Sequence, residues 1–276
     1  MNPVFESHSF SIDGRRWSVG RERHDLSIPL GFDRPQPVFF GVAGASERAV
    51  TAGSFVGDVR KGGSCNCATI SITPHCNGTH TECVGHITGE RLSVRSLCKQ
   101  TLDVALVVSI APVRAATTAE GSDPKPQPDD WLITRASLEA AMASAPIAAF
   151  TALVIRTLPN STHKLARDYE REPAPFFTVE AMRFIVERGV QHLVVDLPSL
   201  DRANDEGRLT AHRTFWNVPA GARAIDTSTR RHATVTELAY IDDTVRDGAY
   251  LLNLQVAPFE ADAAPSRPIL LSLTPA

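Results

Sequence analysis

His75-Cys76-Asn77-Gly78-Thr79-His80-Thr81-Glu82-Cys83-Val84-Gly85-His86 places three imidazoles and a carboxylate within one short stretch. These are ligand types that hold zinc or manganese, and a glycine beside them lets the backbone turn tightly enough for ligands to converge. Asn77-Gly78 is a turn dipeptide. In an extended segment side chains two apart point the same way, so His80 and Glu82 reach one place from one strand. The spacing is not the His-Glu-x-x-His of helical zinc proteases, and the chain has no Walker loop, Gly-x-Ser-x-Gly elbow or Cys-x-x-Cys pair. A lone His-x-Glu in a loop is more often a solvated surface pair than a metal site. The surrounding chain decides between the two.

Around this stretch the pattern reads as mixed α and β, with no fixed-period repeat. Residues 10–19 predict a hairpin turning at Asp13-Gly14, and the proline-rich residues 25–41 predict an extended rim or lid. Residues 67–73 alternate apolar and polar, and residues 102–113 are almost continuously aliphatic, so both predict strands. Residues 114–130 lack the apolar content to enter a core and predict a surface loop. Residues 136–145 hold helix formers ending at Pro146, and residues 150–157 predict an aliphatic strand. The clearest helix follows Thr178, which can cap it, with Glu180 at its positive end, an apolar face from Val179 to Val186 and Gly189 to close it. Residues 192–197 then predict a buried strand whose carboxyl end presents Ser199 and Asp201, which either shape a pocket or cap a turn; the turn is the preferred reading. Residues 234–241, 250–256 and 268–273 have strand character.

With 276 residues and 43% apolar content the chain can bury a large core, here read as one domain over residues 1–276. A net charge of -3 gives no cationic field for nucleic acid or an anionic membrane surface, so neither is expected as a partner. No segment approaches the roughly 20 apolar residues of a membrane span, and residues 1–16 lack the apolar core of a secretion signal. Five cysteines, an odd number, make a poor disulfide framework; with these features they point to the cytoplasm. Cys76 and Cys83 read as small buried fillers, Cys65 and Cys67 as structural.

At this point a family likeness enters. Pro74-His75, Gly78-Thr79-His80, Glu82 and His86 resemble the His-x-Gly-Thr-His-x-Asp-x-Pro-x-His signature of the cyclase family that includes bacterial kynurenine formamidases. Asp25-Leu26-Ser27 with Pro29-Leu30 resembles that family's opening segment, and Leu153-Val154-Ile155-Arg156-Thr157 its Leu-Leu-Arg-Thr strand. Glu187-Arg188-Gly189-Val190 through Asp196-Leu197-Pro198-Ser199-Leu200-Asp201 resembles its Arg-Gly-Val…Asp-x-Pro-Ser-x-Asp block, and His212 and Glu237 match its later ligands. The resemblance implies a swivelling β/β/α type of α/β fold holding one or two divalent ions, zinc or else manganese. His80, Glu82, His212 and Glu237 would be ligands. The remaining early ligand is either His75, through a loop carrying one extra residue, or Cys76, which occupies the family's position four before His80; a thiolate would change metal preference, which favours His75.

The same resemblance implies hydrolysis of an amide-type C–N bond in a small molecule, an aryl formamide or a cyclic amide. Metal-activated water is the nucleophile and His86 the general base. A homodimer or larger homo-oligomer is the implied assembly. Two other functions share these residues: a cyclase, dehydratase or lactone hydrolase on the same scaffold, and a non-catalytic metal-binding module. Departures are visible too. Glu82 replaces an aspartate, Cys83-Val84-Gly85 replaces the usual Ala-Pro sequence before the final histidine, and residues 217–233 form an insertion expected near the site mouth. Glu237 has a plainer reading as an exposed strand residue paired with Arg230 or Arg231, and His212 as a solvated histidine.

Overall fold

The computed structural model describes residues 9–276, so the first eight residues of the N-terminal stretch lie outside it. Ten strands make one mixed sheet. In chain order they are β1 (Ser9–Ile12), β2 (Arg15–Asp25), β3 (His80–Cys83), β4 (Leu102–Ile110), β5 (Ala152–Thr157), β6 (His192–Val195), β7 (Thr234–Glu237), β8 (Gly248–Asn253), β9 (Ala263–Pro265) and β10 (Ile269–Pro275). Across the sheet the order is β1-β2-β10-β8-β4-β5-β6-β7-β3-β9. The central β4, β5, β6 and β7 are parallel, and every pairing outside them is antiparallel.

Composition explains this placement. All six residues of β5 and all four of β6 are buried, as strands covered on both faces require, and each is built on an aliphatic run, Ala152–Ile155 and Leu193–Val195. At the far edge β1 and β2 turn through Asp13 and Gly14, both at positive φ (50° and 73°), the conformation of a two-residue hairpin. The arginines of β2 are left largely exposed, which discourages pairing with another sheet edge.

Four helices complete the frame: α1 (Val94–Leu97), α2 (Arg135–Met142), α3 (Val179–Glu187) and α4 (Thr210–Trp216). One sheet face, through Leu106, Leu153, Leu193 and Val235, packs on Leu138, Met182, Ile185 and Phe215 of α2, α3 and α4. The other, through Val107, Val154 and Val194, is covered by Val94 and Leu97 of α1 and by Ile241 and Leu254. As the sequence predicts, Thr178 Oγ1 accepts from Ala181 N at the start of α3, and Gly189 (φ 75°) follows its end. Residues 114–130 are mostly loop, yet Glu120 within them accepts from Arg135 N and Ala136 N at the start of α2 and from Thr178 Oγ1.

The strand read in residues 67–73 forms as Ala68–Ser71, and it pairs with Ser46–Ala49 in a separate two-stranded ribbon that is almost wholly exposed. Cys65 and Cys67 are exposed, so packing does not explain them; Cys76 and Cys83 are buried, as expected. Among the described residues no helix is long and apolar enough to cross a membrane.

Candidate metal centre

The site begins with strand register. β3 lies antiparallel to β7, with His80 opposite Glu237 and Val235 opposite Glu82. Directly paired residues share a face, as do residues two apart, so His80, Glu82 and Glu237 all project towards the helices. From α4, His212 reaches the same point: its Nε2 lies 3.0 Å from Glu82 Oε1 and 3.3 Å from Glu237 Oε1. His80 Nε2 is 3.4 Å from Glu237 Oε2. The meeting place is beside the carboxyl ends of parallel strands β6 and β7, where open α/β sheets commonly form binding crevices.

Local structure aims each group. Gly78 sits at φ 151°, a conformation that favours glycine, and its carbonyl accepts from His80 Nδ1 at 2.9 Å, leaving Nε2 to face inward. Asn77 anchors the turn by accepting from Thr73 N and donating to the Ala43 carbonyl. Thr79 accepts from Ile28 N, tying residues 25–41 to the motif. His212 Nδ1 meets Asp201 Oδ2 at 2.6 Å, and the same carboxylate accepts from Ala211 N and His212 N. Asp201 therefore caps the first turn of α4 and orients a site histidine. Ser199 accepts from Asp201 N and lines the adjoining cavity.

His75 lies in the turn before β3, with Nδ1 3.0 Å from Glu82 Oε2. His86, on a 3-10 turn spanning Val84–Ile87, has Nε2 3.8 Å from the same oxygen. Two groups of side chains thus have ligating atoms within 4.8 Å of one another, His75 with Glu82 and His86, and His80 with Glu82 and Glu237; Glu82 is common to both. Cys76 belongs to neither, and burial pushes its thiol pKa up. Geometry also puts His86, read from sequence as a base, within ligand range. Glu237 is buried, accepts from Leu200 N, and does not pair with Arg230 or Arg231; His212 is equally buried.

Electrostatics follow from this crowding. Burial opposes the His75 cation, but hydrogen bonding and charge from Asp262 and Glu82 outweigh it and push the ring to about 10. Burial likewise opposes His212⁺, and Glu82 with Asp201 and Glu237 holds it well above the ordinary histidine value. Burial also opposes the Glu82 carboxylate, yet the surrounding histidines keep it well below the usual carboxylate range. Despite their closeness several atoms lack aligned partners. Of eight buried side-chain nitrogens and oxygens without a hydrogen bond among the described residues, four are His80 Nε2, Glu82 Oε1, Glu82 Oε2 and His212 Nε2.

Sequence reasoning missed Asp262, whose Oδ2 lies 2.9 Å from His75 Nε2 and 3.5 Å from His86 Nδ1. It stands just before β9 in a polar stretch, with no motif to mark it. The adjoining cavity, about 390 Å³, is lined by Phe39, Phe40, His86, Arg202 and Leu209 among others. Residues 25–41 therefore do supply part of the rim. The insertion does not: none of residues 217–233 lines that cavity. It packs behind α4, where Arg230 Nη1 donates to the Phe215 carbonyl and Ile225 N to Glu90 Oε1.

A family model described as "Putative cyclase" matches residues 24–202. No curated protein matches the sequence. Among solved structures, one described as a potential metal-dependent hydrolase with cyclase activity is 15% identical, with 91% of this chain and 98% of that chain covered and a TM-score of 0.58. An isatin hydrolase bound to the product analogue thioisatinate is 16% identical, covering 92% and 93%, with a TM-score of 0.59. Isatin hydrolase A from Labrenzia aggregata bound to benzyl benzoate is 14% identical, covering 91% and 93%, with a TM-score of 0.58. At these identities the likeness is one of fold. His212, Glu237 and Asp262 lie beyond the stretch matched by the family model.

Proposed function

The chain belongs to the cyclase family whose model it matches, and from that premise we propose that it is a metal-dependent hydrolase of an amide-type C–N bond in a small molecule. The observation that carries this reading is the convergence of His80, Glu82, His212 and Glu237 at one buried point with four polar atoms unpartnered. These atoms face one another at 3.0–3.4 Å without aligned hydrogen bonds, and a cation drawing on all of them at once would satisfy them. Two imidazole nitrogens and carboxylate oxygens form a donor set suited to zinc, with manganese the second choice. His80, Glu82, His212 and Glu237 would hold one ion, and His75 with Glu82 would hold a second.

When bound, the ion supplies Lewis acidity that makes a water acidic and polarises a carbonyl oxygen. The remaining work falls to side chains. His86, partly exposed at the cavity, takes a proton from the attacking water and returns it to the departing nitrogen. Asp201 holds a proton on His212 Nδ1, so that Nε2 is the nitrogen a metal would take from the neutral ring. Phe39, Phe40 and Leu209 give the cavity apolar walls that suit an aryl or fused-ring amide. The names of the isatin hydrolases support a cyclic amide, and the motif likeness to kynurenine formamidases supports an aryl formamide.

The test is elemental analysis of purified protein together with turnover of formanilides, N-formylkynurenine, isatin-like cyclic amides and lactones, each with a chelator control. Bound metal with chelator-sensitive cleavage of an amide is the expected result. Tightly bound metal with no turnover across the panel would leave a non-catalytic metal-binding module instead.

A further inference from the structure

Two thiols are explained neither by packing nor by the metal centre. Of the five cysteines, Cys76, Cys83 and Cys98 are buried, where an incoming reagent cannot reach them, and Cys65 and Cys67 are exposed. The exposed pair stands on the ribbon of Ser46–Ala49 and Ala68–Ser71, outside both groups of candidate ligands. An exposed thiol is open to oxidation and exchange, and two of them separated by one residue can react together.

The backbone presents this pair as a unit. Gly57 N donates to the Val50 carbonyl at 2.8 Å, Val50 N to the Cys67 carbonyl at 2.9 Å and Cys67 N to the Gly57 carbonyl at 3.0 Å, which closes residues 58–66 into a loop. Only glycine fits at two points of that closure: a Cβ on Gly57 would strike the Cys67 carbonyl oxygen, and one on Gly63 the Val56 carbonyl oxygen. Asn66 Oδ1 accepts from Val59 N at 3.0 Å, so the residue between the cysteines turns its side chain back across the loop. Side chains alternate along an extended chain, so Cys65 and Cys67 share the outer side. Cys67 is fixed by bonds at both its N–H and its carbonyl, whereas neither backbone group of Cys65 has a partner among the described residues. One thiol is held and the other is free to swing towards it.

Two residues of extended chain span about 6.4–6.8 Å, the upper end of the Cα separations that a disulfide bridges, so a small movement of Cys65 suffices. We propose that Cys65 and Cys67 form a dithiol site that exchanges with low-molecular-weight disulfides and closes to a reversible Cys65–Cys67 bridge. The thiolate of one cysteine attacks a sulfur of the small disulfide, forming a mixed disulfide and expelling one small thiolate. The thiolate of the other cysteine then attacks the protein sulfur of that mixed disulfide, closing the bridge and expelling the second small thiolate. The protein dithiol is oxidised by two electrons, the small disulfide is reduced by two, and the two protons pass to the small thiols. Because the second attack lies within one loop, it outpaces capture of a second small disulfide. A bridge at the limit of the allowed geometry is readily reduced again, which makes it a switchable modification and not a structural staple. No residue of the metal-centre reading takes part.

The test incubates the reduced full chain, freed of reductant, with glutathione disulfide at mildly alkaline pH, then alkylates the remaining thiols under denaturing conditions and reads intact mass and peptide maps. Wild type should lose two hydrogens, carry no glutathione, and leave Cys65 and Cys67 unalkylated in one bridged peptide while the three buried cysteines are alkylated. Cys65→Ser and Cys67→Ser, each lacking the second attacking thiol, should instead retain one glutathione on the cysteine that remains. Dithiothreitol should return every form to the free thiol. Wild type that keeps glutathione on either cysteine, links two chains through them, or leaves both as free thiols overturns the proposal without any variant. Each of these outcomes is read by mass alone, so the proposal stands or falls separately from metal binding and amide cleavage.

Discussion

Loading the metal-free protein with zinc at pH 8 should expel protons in a number set by the fold. A histidine of ordinary pKa near 6.5 is only about 3% protonated at that pH, so binding to two such rings would release almost none. His75, raised to about 10, is instead about 99% protonated at pH 8, and His212 lies well above its ordinary value for the same reason. A metal takes imidazole only in its neutral form, so saturation should displace about one proton per chain from His75, and the raised His212 adds to that count. Calorimetry in buffers of different ionisation enthalpy gives the count from the slope of apparent enthalpy. His75→Ala should lower it by about one, whereas Cys76→Ala should leave it unchanged. A slope near zero at pH 8, with zinc bound stoichiometrically, would refute the claim that carboxylates hold these rings charged. The sign carries over to folding. A histidine raised by its partners stabilises the metal-free fold fully below its unfolded pKa, near 6.5, and that stabilisation fades as pH rises through about 10.

Other outcomes follow from the same geometry. His86→Ala should retain its metal and lose about 100- to 10,000-fold in turnover; loss of metal as well would move His86 into the ligand set. Asp201→Ala removes the acceptor of His212 Nδ1 and of two backbone N–H groups at the start of α4, so metal affinity should fall about 10–100-fold in chelator competition. Gly85→Ala forces a shift against the Leu92 carbonyl and should cost about 1–3 kcal/mol in denaturant melts; an unchanged midpoint would show that the turn yields freely. Thr178→Ala removes the side-chain cap of α3 and should cost about 0.5–2 kcal/mol by the same measurement, with metal content unaffected.

The pattern of departures from the family signature also acquires a physical sense. Val84 stands where the family signature has proline, and a Cβ on the following Gly85 would come 2.6 Å from the Leu92 carbonyl oxygen and 3.3 Å from Asp262 Cβ, so glycine lets the turn carrying His86 pack closely. His75 stands one position earlier than the family's first histidine, yet from its turn it reaches Glu82 while Cys76 stays buried apart from both groups. The glutamate at 82 has oxygens near His75 on one side and near His212 on the other, a span its longer side chain suits.

Sequence by itself determined whatever is written locally. Aliphatic runs gave the central strands, Asp13-Gly14 gave the hairpin, Thr178 and Gly189 bounded a helix, and residues 75–86 announced ligand chemistry, because period, cap and turn propensity act over a few neighbouring residues. Matching His212 and Glu237 to their places needed the family resemblance, since a lone histidine and a lone glutamate carry no local signal. Tertiary structure alone decided how these groups meet. β3 is inserted between β7 and β9, and that strand order, not closeness in the chain, puts Glu237 opposite His80 and brings Asp262 to His75 and His86. It also sent residues 217–233 behind α4 instead of to the cavity mouth. Contacts between residues far apart in sequence depend on the packing of whole elements, and no stretch of the chain taken singly encodes them.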